Sequence, residues 1–324
     1  MKAVVFTGAG GNEVVRVEER PDPVPAGEEV LVRARFAALN PADLIQRAGA
    51  YPAPPGSPTD IPGLEVTGVV ESCGERVSTW QRGDRVFGLV GGGGLADRVL
   101  VHERCLARVP ERLDDREATA VPEAFITAHD AVRSQAGLTP GETLLVQCAA
   151  GGVGTAAVQI GFVTGARVLG VVRSERGADA VRDLGGEPIE DESFVRRVAE
   201  ATGGRGADVV LELLGAPHFA DDLETLALRG RIVVVGVGGG HEATIQLRKL
   251  MQKRAVVRGT VLRPRPLEEK AAAVRAFERE VAPALEDGRM RPVVDSVFPA
   301  AEVTDAFDRL AGSGKVGKVL IEFP

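Results

Sequence analysis

Ala149, Gly151 and Gly154 follow the spacing A-x-G-x-x-G, directly after an apolar, partly β-branched run at 143–147. This pattern handles phosphate chemistry, and each small residue has its own reason. The first permits a tight turn. Gly151 lets the backbone approach a pyrophosphate, and Gly154 lets the following helix close on the strand. The free N–H groups and positive dipole end of that helix then face the anion. Ala150, Gly151, Gly152, Val153 and Gly154 are therefore candidate dinucleotide contacts. A bare glycine triplet is a weak signal. Its weight comes from its flanks: a predicted strand at 143–147, a helix from Gly152 to Val163, and a second strand from Arg167 to Val172. Together they have the length of one βαβ crossover.

The end of the second strand bears on which dinucleotide. NAD sites place Asp or Glu there to bond the ribose 2′-hydroxyl. This chain reads Val171-Val172-Arg173-Ser174-Glu175-Arg176. Arg173 and Arg176 offer planar forks that suit a 2′-phosphate, and Ser174 adds a hydroxyl. NADPH is the expected coenzyme, with Glu175 as the one opposing charge.

These residues need a scaffold, and the rest of the chain supplies its outline. With 324 residues there is room for two domains with sizeable cores. The charged share of 26% and hydrophobic share of 44% are those of a soluble globular protein. A net charge of −7 gives no general attraction to nucleic acid or to an anionic membrane. No apolar run reaches the length of a membrane span, and no leader-like segment opens the chain. Cys73, Cys105 and Cys148 stand singly, an odd count that suits a reducing, cytoplasmic setting.

The expected fold is α/β, with a β-rich domain at 1–120, a doubly wound parallel sheet at 121–265, and a C-terminal segment at 266–324 that returns to the first domain. Residues 30–37 alternate apolar and charged side chains like a half-buried strand. Residues 66–71 and 84–89 are further strands. Beyond the glycine turn come a helix at 177–184, a strand at 208–213, a helix at 219–228 stopped by Gly230, and a buried strand at 231–237. A last strand is expected at 256–262. The C-terminal segment reads as a helix at 267–285 and a strand at 316–323.

Several segments resemble the zinc-independent quinone oxidoreductase (zeta-crystallin-like) branch of the medium-chain dehydrogenase/reductase superfamily. They are Ala38-Leu39-Asn40-Pro41-Ala42-Asp43-Leu44-Ile45-Gln46-Arg47, the GAYP of Gly49 to Pro52, the run Pro62-Gly63-Leu64-Glu65-Val66-Thr67-Gly68, and Gly83-Asp84-Arg85-Val86. The AAGGVGTAAVQ of 149–159 and Gly317-Lys318-Val319-Leu320 complete the set. The resemblance implies a GroES-like domain, a Rossmann domain, an active site in the cleft between them, NADPH as reductant, and a homodimer. It implies conjugate hydride transfer to a quinone or an α,β-unsaturated carbonyl. By resemblance, Asn40 and Asp43 lie beside the nicotinamide and ribose, Asp43 alternatively capping the helix at 42–47. Thr127 contacts the nicotinamide-bearing half. Gly236, Val237 and Gly238 belong to a loop that closes on the nicotinamide end. Arg263, following the last Rossmann strand, contacts phosphate or substrate or is a surface charge, and Lys318 approaches the 2′-phosphate or braces the domain junction. Tyr51, the one tyrosine, either donates to the substrate oxygen or shapes the pocket rim. Tyr51 and Asn40 are the candidate catalytic residues.

Zinc-dependent members use Cys and His ligands, one from a Gly-His-Glu motif. Here the motif reads Gly63-Leu64-Glu65, with no clustered cysteines or histidines, so no metal site is expected. Many members of the branch carry Lys where this chain has Gly177, and an adenine-side Asn-Tyr pair where it has Ile189-Glu190-Asp191. Two other readings stay open: an enoyl-thioester reductase, and a slow NADPH-binding redox sensor.

Overall fold

The computed structural model describes residues 1–324. They form two compact units, Met1–Ile126 with Leu262–Pro324, and Thr127–Val261. The division expected near 120 and 265 thus falls at 126 and 261, and the C-terminal segment is part of the first unit.

The second unit is built on a six-stranded parallel sheet. In spatial order its strands are Glu187–Glu190, Arg167–Val172, Thr143–Val146, Ala207–Glu212, Leu226–Val234 and Val256–Gly259. In chain order this is 3-2-1-4-5-6, the doubly wound arrangement. Its inner strands are nearly continuous Val, Leu and Ile, as burial on both faces requires. Leu145, Leu169, Val210 and Ile232 sit in one core cluster.

Three elements differ from the reading above. The strand Glu187–Glu190 had been given no range; its Pro188 is tolerated because the strand lies on the sheet edge. The helix expected at 219–228 is Ala216–Thr225, and the next strand already starts at Leu226. Gly230 lies inside that strand, packed against Leu226 and the Ala207 carbonyl. A π-helical turn, Asp130–Gln135, follows the helix Pro122–His129 and had no sequence signature.

In the first unit, five antiparallel strands run in the order Arg98–His102, Glu29–Arg33, Glu65–Cys73, Arg85–Leu89 and Leu106–Arg108. The single strand expected at 30–37 is broken at Ala34-Arg35. Its second half, Phe36–Leu39, leaves this sheet and pairs with the C-terminal strand Lys318–Glu322. That strand in turn pairs in parallel with Val294–Pro299. The C-terminal helix expected at 267–285 is two helices, Leu267–Glu280 and Ala282–Glu286, with Pro283 starting the second. No helix is long and apolar enough to cross a membrane.

Candidate active site

In the second unit, the chain leaves the strand Thr143–Val146 at the switch point of the sheet, where the strand order reverses. Ligands of open α/β sheets bind at such points. The turn there is made by Cys148, at φ 49°, rather than by one of the glycines. Its carbonyl accepts the Gly151 N–H at 2.9 Å. Ala149 donates its N–H to Val171 O of the next strand at 3.0 Å. The helix Gly152–Thr164 then starts with Gly151 as its N-cap.

The two glycines of the motif separate cleanly. A Cβ at Gly154 would meet Cys148 O at 2.3 Å and the Ala149 backbone at 2.7 Å. A Cβ at Gly151 would meet only Cys148 O, at 3.3 Å. Gly154 is thus small because the protein itself fills the space. Gly151 is small although the protein leaves its outer face clear, as an approaching pyrophosphate requires.

Arg173 and Ser174 are exposed at the end of the neighbouring strand Arg167–Val172, and Arg176 is exposed in the first turn of the helix Glu175–Asp183. Ser174 caps that helix, its Oγ accepting Gly177 N–H at 3.2 Å. Glu175 is bonded by Arg182 at 3.0 Å, which also takes Asp179 at 2.7 Å. The opposing charge therefore has a cation of its own. Gly177 packs on Ala150: a Cβ there would meet the Ala150 methyl at 3.2 Å. The missing side chain brings the arginine-bearing helix against the glycine turn.

The loop containing Gly236, Val237 and Gly238 follows the strand Leu226–Val234. It is stitched to residues 212–216 by Val235 N–H to Glu212 O at 2.9 Å, Gly239 N–H to Leu214 O at 2.8 Å and Ala216 N–H to Gly240 O at 2.9 Å. Thr127 is buried in the helix Pro122–His129.

In the first unit, Asn40 caps the helix Pro41–Arg47. Asp43 is not the cap. It sits at the third helical position and reaches back, Oδ2 accepting Asn40 N–H at 2.7 Å and Oδ1 accepting Gly63 N–H at 3.1 Å. Its carboxyl is fully buried, and that burial raises its pKa to about 6 against the pull of the two N–H groups and Lys318. Asp43 is thus spent on holding two turns together.

The register that pairs Val319 with Leu39 brings Lys318 beside Asn40. Lys318 Nζ lies 2.5 Å from Asn40 Oδ1 and 2.8 Å from Glu65 Oε1. Asn40 Nδ2 donates to the same Glu65 oxygen at 2.8 Å, and Glu65 Oε2 accepts Glu123 N–H at 2.8 Å. Lys318 and Glu65 are 5% and 2% exposed, so this is a closed ionic cluster. Lys318, expected near the 2′-phosphate or as a brace of the domain junction, is the internal cation of this cluster. Asn40 Nδ2 also donates to Ala38 O at 3.5 Å, so its whole carboxamide has partners within the first unit, that bond being the longest of them.

The sequence alone gave Arg263 a surface or phosphate role. It is instead 6% exposed and donates to Gly91 O at 2.7 Å, Tyr51 O at 3.3 Å and Gln46 Oε1 at 2.6 Å. Its guanidinium lies 4.8 Å from the centre of the Tyr51 ring, in cation–π range. Arg263 thus fixes the GAYP turn. Burial raises the Tyr51 phenol, with Arg263 opposing, so the hydroxyl carries its proton at neutral pH. That hydroxyl makes no hydrogen bond within the chain and is free to donate.

The two sites define a nicotinamide-dependent oxidoreductase with a GroES-like and a Rossmann unit. Residues 26–111 match the alcohol dehydrogenase GroES-like domain, and residues 152–279 match the family described as zinc-binding dehydrogenase. The chain is 32% identical over 327 residues to the quinone oxidoreductase of Lama guanicoe, spanning 99% of this chain and 97% of that one. A quinone oxidoreductase from Pseudomonas syringae pv. Tomato DC3000 superposes with a TM-score of 0.88 at 27% identity, over 99% of both chains. A mycobacterial protein solved with NADPH gives 0.87 at 27% identity, over 99% of this chain and 100% of the other. The chain belongs to the quinone oxidoreductase branch of the medium-chain dehydrogenase/reductase superfamily.

The zinc in one family's description does not fit this chain. Leu64 stands in place of the ligand histidine, and Lys318 supplies the positive charge beside Glu65. No group of three or more His, Cys, Asp or Glu side chains is arranged to hold a metal ion.

Proposed function

We propose that this protein reduces a quinone or an α,β-unsaturated carbonyl with NADPH, without a metal. The observation that carries the reading is the A-x-G-x-x-G turn at the switch point, with the outer face of Gly151 left clear. NADPH, when bound, supplies the hydride. Residues 150–154 hold its pyrophosphate through backbone N–H groups. Arg173, Arg176 and Ser174 take the 2′-phosphate. The 236–238 loop and Thr127 contact the nicotinamide half, as does Asn40 by giving up its long bond to Ala38 O. Negative charge grows on the substrate oxygen as hydride arrives at carbon, and the Tyr51 hydroxyl donates to it. Arg263 keeps that ring in place.

The test is a screen of NADPH and NADH oxidation with quinones, enones and enoyl thioesters. Quinones and enones should turn over; thioesters alone would select the enoyl reductase reading. Tight NADPH binding with no turnover of any acceptor would select the redox sensor. In the variant Arg173→Ala/Arg176→Ala, kcat/KM for NADPH should fall about 10–100-fold, the worth of one or two lost charged hydrogen bonds. That for NADH should barely move. Equal losses would remove the argument for NADPH.

We also propose a homodimer formed through the edge strand Val256–Gly259. All four of its residues are exposed, Val256 at 48%, and its outer side is unpaired. Such an edge is a template for a second chain. Sedimentation should give a dimer that Val257→Pro converts to monomer; a monomeric wild type would refute it. The three cysteines form no disulfide, consistent with work in the cytoplasm, which cell fractionation would check.

A further inference from the structure

Beneath the 236–240 loop lies a set of polar groups that the proposed reaction does not use. Glu212 ends the strand Ala207–Glu212, Asp222 lies on the helix Ala216–Thr225, and Gln147 follows the strand Thr143–Val146. All three are fully buried. Glu212 Oε1 accepts the N–H groups of Leu214 and of Gly215, the latter at 2.6 Å. Asp222 Oδ1 accepts Gln147 Nε2 at 2.6 Å. Gln147 Oε1 lies 3.1 Å from His218 Nδ1, and His218 Nε2 lies 3.0 Å from Asp191.

This leaves one oxygen on each acid, Glu212 Oε2 and Asp222 Oδ2. Both are buried, and neither has any other partner. The two carboxyls are within hydrogen-bonding reach of each other. Two ionised carboxylates offer only acceptors there, and buried unpaired oxygens are costly. A single proton between them satisfies both.

We propose that Glu212 and Asp222 share one proton, and that this acid pair holds the 236–240 loop in the shape that receives the coenzyme. The mechanical link is short. Glu212 Oε1 fixes the Leu214-Gly215 turn, where Gly215 at φ 97° bridges to Gly240. A Cβ at Gly215 would meet Gly240 O at 2.4 Å, and one at Gly236 would meet Leu213 O at 2.4 Å. The loop therefore follows the turn closely. The role in coenzyme binding rests on the function proposed above; the shared proton does not.

Burial, and then Glu212, hold Asp222 well above the usual aspartate range. The other charged group acting on it, Asp221, is also acidic. His218 faces Gln147 and Asp191. On the adjacent helix Leu247–Lys253, Lys249 pairs with Glu224, and Lys253 donates to the carbonyls of Glu224 and Leu226. Folding favours the protonated pair. Its contribution to stability is complete below the ordinary aspartate range near 4 and is lost as pH rises through the raised range of Asp222.

The test uses the intact protein and the variants Asp222→Asn, Glu212→Gln, Asp222→Ala and the double carboxamide. Either single carboxamide supplies an N–H in place of the shared proton. Each should keep the wild-type melting temperature at pH 7 and flatten its fall toward high pH. The double variant sets donor against donor and should lose more than the sum of the two singles. Infrared spectra of the coenzyme-free protein at pH 7 should show a protonated carboxyl band that Asp222→Asn removes. NADPH affinity of the wild type should weaken as pH rises, and that of Asp222→Asn should not. An absent band, or an Asp222→Asn protein as unstable as Asp222→Ala, would overturn the shared proton. NADPH affinity that is flat with pH in the wild type would overturn its role in the loop. Failure to bind NADPH at any pH, with band and melting results as expected, would instead defeat the coenzyme reading.

Discussion

Gly151→Ala should fold like the wild type and lose most of its affinity for NADPH, whereas Gly154→Ala should lose stability. The difference follows from what already surrounds each position. The one neighbour of a Gly151 Cβ is Cys148 O at 3.3 Å, so the added methyl needs a shift of a few tenths of an ångström in the turn. It would then stand where the pyrophosphate must approach. At Gly154 the methyl would meet backbone atoms at 2.3 and 2.7 Å, so the helix must move off the strand. Overpacking of this kind typically costs 1–3 kcal/mol. Thermal unfolding and NADPH fluorescence titration measure the two properties separately. Unchanged affinity in Gly151→Ala would remove the pyrophosphate from this turn.

Lys318→Met should destabilise the protein by about 3–5 kcal/mol, because it leaves the buried Glu65 carboxylate without its cation. Asn40 Nδ2 and Glu123 N–H would remain as its partners. The companion Lys318→Met/Glu65→Gln removes both charges and should recover much of the loss, since a neutral, packed replacement of a buried pair is often tolerated. Denaturant unfolding of the three proteins checks this. A single variant as stable as the wild type would mean that the cluster is not closed to water. If NADPH affinity fell 10-fold or more in the double variant while stability returned, Lys318 would have a coenzyme role besides its place in the cluster.

The readable parts of this protein were the local ones. The glycine turn, its two strands and its helix are set by residues within about thirty positions of one another, and they lie within a residue or two of expectation. The break between Glu280 and Ala282 had a signal in Pro283, which a continuous apolar pattern obscured. The strand break at Ala34-Arg35 had none, because alternation continues through it while the hydrogen-bonding partner changes from one sheet to another.

Partnerships across the sequence were out of reach. Lys318 meets Glu65 across 253 residues, and Arg263 meets Gln46 across 217. Only the antiparallel register of the C-terminal strand brings Lys318 to Asn40. Motif resemblance drew Asn40, Asp43 and Lys318 toward the coenzyme, and position after the last strand drew Arg263 there. The structure shows them largely occupied in holding the first unit's turns in place. Glu212 read as the polar end of a strand, and Asp222 as one acid on a mixed helix. Nothing local marks them as neighbours.

The proposed reaction is hydride transfer from the nicotinamide to substrate carbon with no metal. It is tested most directly by turnover of an enone with NADPH deuterated at the transferring C4 position, after exhaustive chelation. Deuterium should appear at the β-carbon of the product, at a rate unchanged by the chelator. Hydrogen from solvent at that carbon, or activity lost to the chelator and restored by zinc, would contradict it.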